Sequence, residues 1–276
     1  MSGKLVLCAT PIGNLEDTSR RVLRMIEEAD VLACEDVRRA RKLLSHFGIP
    51  ARELVVYNEG NERRRAGELV RRIDTGATVA LISNAGMPGL SDPGYRLVRA
   101  CVDAGLPVEI VPGPTAAVSA LVVSGLPPGR FVFEGFLPRK AGDRSRRIAE
   151  LATEVRTLVF YVSPHKVEET VADLKTGLGD RPAALVRELT KVHEEVRRGT
   201  LSELLGELAE RPARGEIVLV VGGAIGAHRP RGDASDLARR ARQLMDEGVE
   251  RREALATVAR SAGVPRKSVF EALLRD

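Results

Sequence analysis

The sequence has no tryptophan, three tyrosines and six phenylalanines, too few aromatics for stacked platforms that grip single-stranded nucleic acid. Its three cysteines, Cys8, Cys34 and Cys101, are odd in number and sit in apolar stretches without CxxC spacing. That pattern excludes a disulfide framework and reads as buried free thiols in a reducing cytosol. Four scattered histidines (His46, His165, His193 and His228) show no metal-ligand spacing, so no metal is expected. The amino terminus MSGKLVLCATPIGN stays apolar for only about six residues, too short for a secretory signal. No run approaches the roughly 20 apolar residues of a membrane span, and a soluble, cytoplasmic protein without membrane contact is expected. GxGxxG after the first strand, GxxxxGK[ST] and GxSxG are all missing, which removes the signatures of Rossmann dinucleotide, P-loop and α/β-hydrolase chemistry.

What is present is an α/β pattern. With 276 residues, 43% of them hydrophobic, the chain is long enough for two compact units and a small appendage. Short apolar runs at Lys4–Ala9, Val31–Cys34, Leu54–Tyr57, Thr78–Ser83 and Val108–Val111 alternate with amphipathic stretches, as in a largely parallel sheet. Asp17 is a candidate cap for a helix carrying Val22, Leu23 and Ile26 on one face, and Gly48 is a stop for the helix before it. Gly113-Pro114 opens a second half with strands at Phe131–Phe133, Thr157–Val162, Ala183–Arg187 and Glu216–Val221. A further strand within Val192–Gly199 would make that sheet mixed. These breaks predict domains at 1–113, 114–224 and 225–276. The last opens with a linker to Asp233, followed by helices whose final pair reads either as a helix-turn-helix or as a small packing bundle.

Lys and Arg number 43 against 38 Asp and Glu, a net charge of +5. The excess suits a polyanionic partner, and a solvated helical surface accounts for it equally well. The chemistry lies in loops rich in Gly and Pro after strands: Thr10–Asn14, Ser83–Gly94 and Pro112–Thr115. Each alone reads as a turn. Together, at carboxyl ends of strands, they outline a small-molecule cleft.

The segments ATPIGNLEDTSRRVL, ADVLACEDVRRARKLL, LISNAGMPGLSDPGYRLV, VPGPTAAVSALVVSGLP, FVFEGFLPRK, TLVFYVSPHK, RELTKVHEEVRRGTL and GEIVLVV, in that order, resemble the ribosomal RNA ribose methyltransferase branch of the tetrapyrrole-methylase family. The resemblance runs from Lys4 to Gly222, and ACEDVRR and RELTKVHEE set the branch apart from porphyrin- and corrin-methylating relatives. It implies two α/β domains of the non-Rossmann, class III methyltransferase type with a small C-terminal helical domain. It also implies a cleft for S-adenosylmethionine and a homodimer. The implied reaction is 2′-O-methylation of a decoding-region cytidine in 16S ribosomal RNA within the 30S subunit.

By resemblance, Pro11 and Gly13 border the methionine end of the cofactor. Ser83, Asn84, Ala85, Gly86 and Pro88 surround its sulfonium and carboxylate, and Ser119, Ala120, Tyr161, Leu189, Gly215 and Glu216 lie around its adenosine. Asn84 and Met87 depart from the family's usual SDAGTP; Asn keeps a carbonyl acceptor but removes a charge that would face the sulfonium. For catalysis the polar candidates are Lys191, Glu188 and Asp36, with Lys191 stabilising an alkoxide or acting as base. A phosphate contact or salt bridge accounts equally well for Lys191, and helix capping for Asp36. Arg38, Arg39 and Arg41, then Arg63–Arg65, then Arg139 and Lys140 through Arg147, form basic runs suited to phosphate or to a solvated face. Two other functions fit the same pattern: methylation of a tetrapyrrole, or a ribosome assembly factor that has lost catalysis.

Overall fold

A computed structural model of the chain describes residues 3–50, 53–224, 234–262 and 264–275. The first half runs β1 (Lys4–Cys8), α1 (Arg20–Glu28), β2 (Val31–Cys34), α2 (Val37–His46), β3 (Glu53–Val56), α3 (Glu62–Asp74), β4 (Thr78–Ile82), α4 (Tyr95–Asp103) and β5 (Val108–Val111). Its five strands form one parallel sheet in the order β3-β2-β4-β1-β5. Successive side chains of β1 go to opposite faces. Val6 and Cys8 pack with Val22, Ile26 and Leu44, while Leu5 and Leu7 pack with Leu69, Ile73 and Leu97. Helices thus cover both faces, which is why these strands read as unbroken apolar runs.

α1 begins two residues later than a cap at Asp17 predicts. Asn14 accepts from the Glu16 amide and turns Leu15–Asp17 into a short 3-10 segment, leaving Ser19 to cap the helix by accepting from Val22 N at 3.2 Å. Gly48 does end the preceding segment's turn, with φ +65°.

The second half comprises α5 (Ala116–Ser124), β6 (Phe131–Phe136), α6 (Ala141–Glu150), β7 (Thr157–Val162), α7 (Val167–Leu178), β8 (Pro182–Arg187), β9 (Glu195–Thr200), α8 (Leu201–Glu210) and β10 (Ile217–Val221). The sheet order is β6-β7-β10-β8-β9, with β6 and β7 parallel and the other neighbours antiparallel, so this sheet is mixed. α5 packs through Ala117, Ala120 and Leu121 on the face formed by Val159, Val186, Val218 and Val220. Ile12 from the first half and Leu189 join the same cluster, so apolar packing spans the seam between the sheets.

Buried Arg181 braces the far edge. Its guanidinium donates to the carbonyls of Leu178, Ala152, Glu154 and Gly222. Arg144 is likewise buried, held by Asp173 and Glu169.

α9 (Ala234–Asp246), α10 (Arg251–Ala262) and α11 (Arg266–Arg275) share a core of their own, built from Leu237, Ala241, Leu255, Val258 and Val269. The predicted linker at 225–233 and the Gly263 turn lie outside the described residues. No described helix is long and apolar enough to cross a membrane.

Candidate active site

Because the first sheet is parallel, the loops leaving its carboxyl ends share one edge. They are stitched together. Thr10 and Gly86 exchange backbone hydrogen bonds of 2.8 and 3.0 Å, and Thr10 Oγ1 donates to the Ser83 carbonyl. The Ser83 hydroxyl turns back to the carbonyls of Ala85 and Gly86, each at 3.2 Å. The segment after β4 is thereby fixed before any ligand arrives.

Two cavities open against these loops. The larger in apolar character holds about 420 Å³ between the halves, lined from the first by Ile12, Ala85, Gly86, Met87, Leu90, Ser91 and Asp92. From the second come Thr115, Ala116, Phe136, Tyr161, Val162, Ser163, Pro164, Val186, Leu189 and Gly215–Val218. A bulge in β6 between Phe133 and Gly135 brings Phe136 opposite Tyr161, and their ring centroids stand 5.5 Å apart. The Thr115 hydroxyl on this wall is buried beside the Tyr161 phenol. Burial holds the Tyr161 phenol above its ordinary pKa, so it stays a neutral donor.

The second cavity, about 540 Å³, lies mostly within the first half and is polar in its charged side chains, on a wall that is otherwise largely apolar. Thr10–Gly13, Cys34, Asp36, Arg39, Lys42, Ser83, Asn84, Lys191 and Glu216 line it among others. Ile12, Ala85 and Glu216 line both cavities and form the partition between them. Burial pushes the Cys34 thiol up to about 11, so it offers no nucleophile at neutral pH.

The RELTK segment closes the junction. Glu188 and Thr190 adopt φ of +52° and +65°, backbone conformations that a branched residue such as Thr190 rarely takes and that cluster at functional sites. Glu188 Oε1 accepts from Glu216 N at 2.9 Å and from Lys191 Nζ at 2.9 Å, and Lys191 also reaches Glu216 Oε2 at 3.0 Å. Those donors hold the Glu188 carboxyl below its ordinary pKa. Burial alone would lower the Lys191 pKa, but the two carboxylates outweigh it and hold the ammonium above its usual range. Two carboxylates thus hold the Lys191 side chain in its charged form.

Glycine is required on both sides of this junction. A Cβ on Gly13 would lie 2.5 Å from Lys191 Cγ and 2.8 Å from the Leu189 carbonyl, and one on Gly215 would lie 2.2 Å from Glu188 Oε1. Asn14 N donates to Thr190 Oγ1 at 3.0 Å, which ties the β1 loop to the RELTK loop.

Of the residues expected from sequence, Ala85, Gly86, Tyr161, Leu189, Gly215 and Glu216 line the apolar cavity, whereas Pro11, Gly13, Ser83 and Asn84 face the polar one. Pro88 is buried beneath its loop. Ser119 and Ala120 sit one turn too far along α5; the helix start, Thr115 and Ala116, reaches the wall while Ala120 enters the core. Asp36 lines the polar cavity and also caps α2, accepting from Arg38 N at 2.7 Å. Lys191 lines the same cavity, with no hydrogen bond or ion pair between it and Asp36 among the described residues, and Glu188 stands behind Lys191.

Among the basic residues, Arg38, Arg39, Arg41, Arg63, Arg139 and Lys140 are exposed. Others of those runs are consumed internally: Arg65 by Glu68, Arg144 by Asp173 and Glu169, Arg147 by Glu134 and Glu150. Sequence reasoning placed Met87, Leu90, Ser91 and Asp92 within the Ser83–Gly94 cleft loop and Thr115 within the Pro112–Thr115 loop, but gave Leu90, Ser91, Asp92 and Thr115 no individual role. It missed Phe136 and Ser163 on the opposite wall.

Asp92, on the wall of the apolar cavity, is also displaced from ordinary behaviour. Burial, then the charge of Glu35, raises its carboxyl to about 6, with Ser83 partly opposing them and Glu59 adding to the rise. Glu35 follows β2 and keeps one buried carboxylate oxygen without a partner. Among the described residues no group of three or more His, Cys, Asp or Glu is placed to hold a metal ion.

A family model described as Tetrapyrrole (Corrin/Porphyrin) Methylases matches residues 4–205. A ribosomal RNA small subunit methyltransferase I of Mycobacterium tuberculosis (strain CDC 1551 / Oshkosh) is 44% identical over 278 aligned residues, covering 100% of this chain and 96% of the relative. One of Thermotoga maritima is 43% identical over 221 residues, 80% of this chain but 99% of that protein, so nearly all of it corresponds to four fifths of the present chain. Among solved structures, a uroporphyrin-III-C-methyltransferase from Thermus thermophilus superposes with a TM-score of 0.53 at 28% identity, over 81% of this chain and 96% of that one.

Proposed function

Because the chain belongs to the tetrapyrrole methylase family, and relatives matching its full length are named for small-subunit ribosomal RNA, we propose that it is an S-adenosylmethionine-dependent ribose 2′-O-methyltransferase of 16S ribosomal RNA. The observation that supports this most directly is the pair of cavities meeting at Ile12, Ala85 and Glu216, one without a basic side chain and the other lined by Arg39, Lys42 and Lys191. A reaction that moves one carbon between two large molecules needs two sites sharing a wall.

The apolar cavity suits the donor. Its volume is within the range of roughly 300–1,000 Å³ common to cofactor sites, and its mostly apolar wall carries a few fixed polar groups. The touching Phe136 and Tyr161 rings offer an aromatic surface against which a flat base would pack, and the buried Thr115 hydroxyl supplies a polar group on the same wall. Backbone of Ala85–Met87 would hold the polar end of the ligand. When bound, S-adenosylmethionine supplies an electrophilic methyl on a cationic sulfur.

The protein's own work is alignment, exclusion of water and management of charge, of which alignment can supply roughly 7–11 kcal/mol of the barrier. Lys191, kept protonated by Glu188 and Glu216, faces the polar cavity and would stabilise negative charge developing on the ribose oxygen. Glu188 acts as its positioning residue. Arg39 and Lys42 line the acceptor cavity and suit a phosphate of the target nucleotide. Exposed Arg38, Arg41, Arg63, Arg139 and Lys140 would dock flanking phosphates without reading sequence.

A cytidine of the decoding region, presented by the assembled small subunit in the cytoplasm, is the acceptor in this reading. A second copy of the chain would cover Val118 and Val122, which project from one face of α5 at 43% and 65% exposure.

The test is incubation with methyl-labelled S-adenosylmethionine and small subunits lacking the modification, followed by nucleoside mass spectrometry. A single 2′-O-methylcytidine is expected. Labelling of uroporphyrinogen with no labelling of subunits would overturn the assignment.

A further inference from the structure

The donor cavity contains a carboxyl group without a cation. Of the groups lining it, only Asp92 and Glu216 are carboxylates, and no Lys, Arg or His lines it at all. Glu216 is held by Lys191 on the partition, whereas Asp92 forms no salt bridge with a described residue. The groups around Asp92 are of its own sign or neutral: Glu35 after β2, Glu59 after β3, Ser83 after β4 and the Tyr161 phenol on β7. A half-buried carboxyl facing two other acids is an unfavourable arrangement unless something positive arrives. The ligand assigned to this cavity brings a positive sulfur, and Asn84, earlier in the same loop, has no charge to set against it.

Resting on the methyltransferase reading, we propose that Asp92 is the counter-charge for the sulfonium of the bound donor, and that through it the cavity distinguishes the cationic donor from the neutral thioether left after transfer. Donor and product share the same adenosine, amino and carboxylate groups, so any difference between them isolates the sulfur's charge. With Asp92 ionised, the donor is held more tightly than the spent product, which favours exchange after each turnover. With Asp92 protonated the preference is lost, and donor binding has to release a proton.

Isothermal titration calorimetry of the unmodified protein with S-adenosylmethionine and with S-adenosylhomocysteine, between pH 5.5 and 7.5, tests this without relying on activity. Donor affinity is expected to fall about fourfold at the acid end while product affinity stays level, since a group titrating near 6 must ionise to bind the cation. At pH 7.5, Asp92→Asn is expected to weaken the donor about tenfold or more, as for an opposite charge within a few ångströms, and the product less than threefold. Equal weakening of both ligands, or a pH dependence that survives in Asp92→Asn, would overturn the proposal. Because the pH series needs no substitution, a variant that fails to fold does not protect it. If neither ligand binds the unmodified protein, the methyltransferase reading itself fails; binding of both without discrimination sinks only the role of Asp92.

Discussion

Replacing Asp92 by Asn should make the unliganded protein more stable at neutral pH and leave it nearly unchanged in acid. The Asp92 carboxyl is raised from its ordinary 3.8 to about 6. A raised acid contributes its stability below the unfolded value and loses it as pH rises through the folded value. At about 1.4 kcal/mol per unit, two units correspond to about 3 kcal/mol across the whole range, and about 2 kcal/mol of that falls between pH 4.5 and 7.5. Asn carries no titrating group, so its advantage over Asp should widen by about 2 kcal/mol across that interval. For a chain of this size that is a midpoint difference of roughly 4–8 °C at pH 7.5. The chain has no tryptophan, so far-ultraviolet circular dichroism is the better probe of unfolding. A constant offset between the two proteins at all pH values would show that Asp92 does not titrate in this window, and the electrostatic account of the cavity would go with it.

Arg181→Met removes a buried guanidinium that serves four carbonyls, and calorimetry should show a loss of about 3–5 kcal/mol with donor affinity preserved in the remaining folded protein. Gly215→Ala drives a methyl into Glu188 and should weaken donor binding at least about tenfold by titration calorimetry, since that wall must move. Gly206→Ala in α8, where nothing lies within 4 Å, is the matched control and should be neutral or stabilising by about 1 kcal/mol. Lys191→Met should slow single-turnover methyl transfer about 10²-fold while changing donor affinity less than threefold, because the ammonium faces the acceptor side.

The parallel sheet was readable from sequence because both of its faces are covered, which forces β1, β2 and β4 into unbroken apolar runs. Boundaries failed where two polar residues competed for one job: Asp17 and Ser19 both suit a helix cap, and only the turn at Asn14 decides between them. Side-chain destinations along α5 were harder still. AAVSALVVS is apolar all round, so its periodicity cannot say that Thr115 and Ala116 meet the cavity and Ala120 the core. The character of Asp92 was invisible for a different reason. It comes first from burial and then from Glu35 and Glu59, more than thirty residues away in sequence, and burial and proximity of that kind exist only after folding. The arginine runs erred in the opposite direction, because Arg144 and Arg147 look identical to free surface cations until their carboxylate partners are placed.

The two cavities draw on the chain unequally. Most of the acceptor wall comes from loops of the first sheet, and most of the donor wall from the second. A division of labour follows: one acceptor can be exchanged for another by rewriting the turn after β2 and the start of α2, while the machinery that holds the common reagent stays untouched. Only residues on the partition, Ile12, Ala85 and Glu216, answer to both demands, and these should be the slowest positions in the molecule to change.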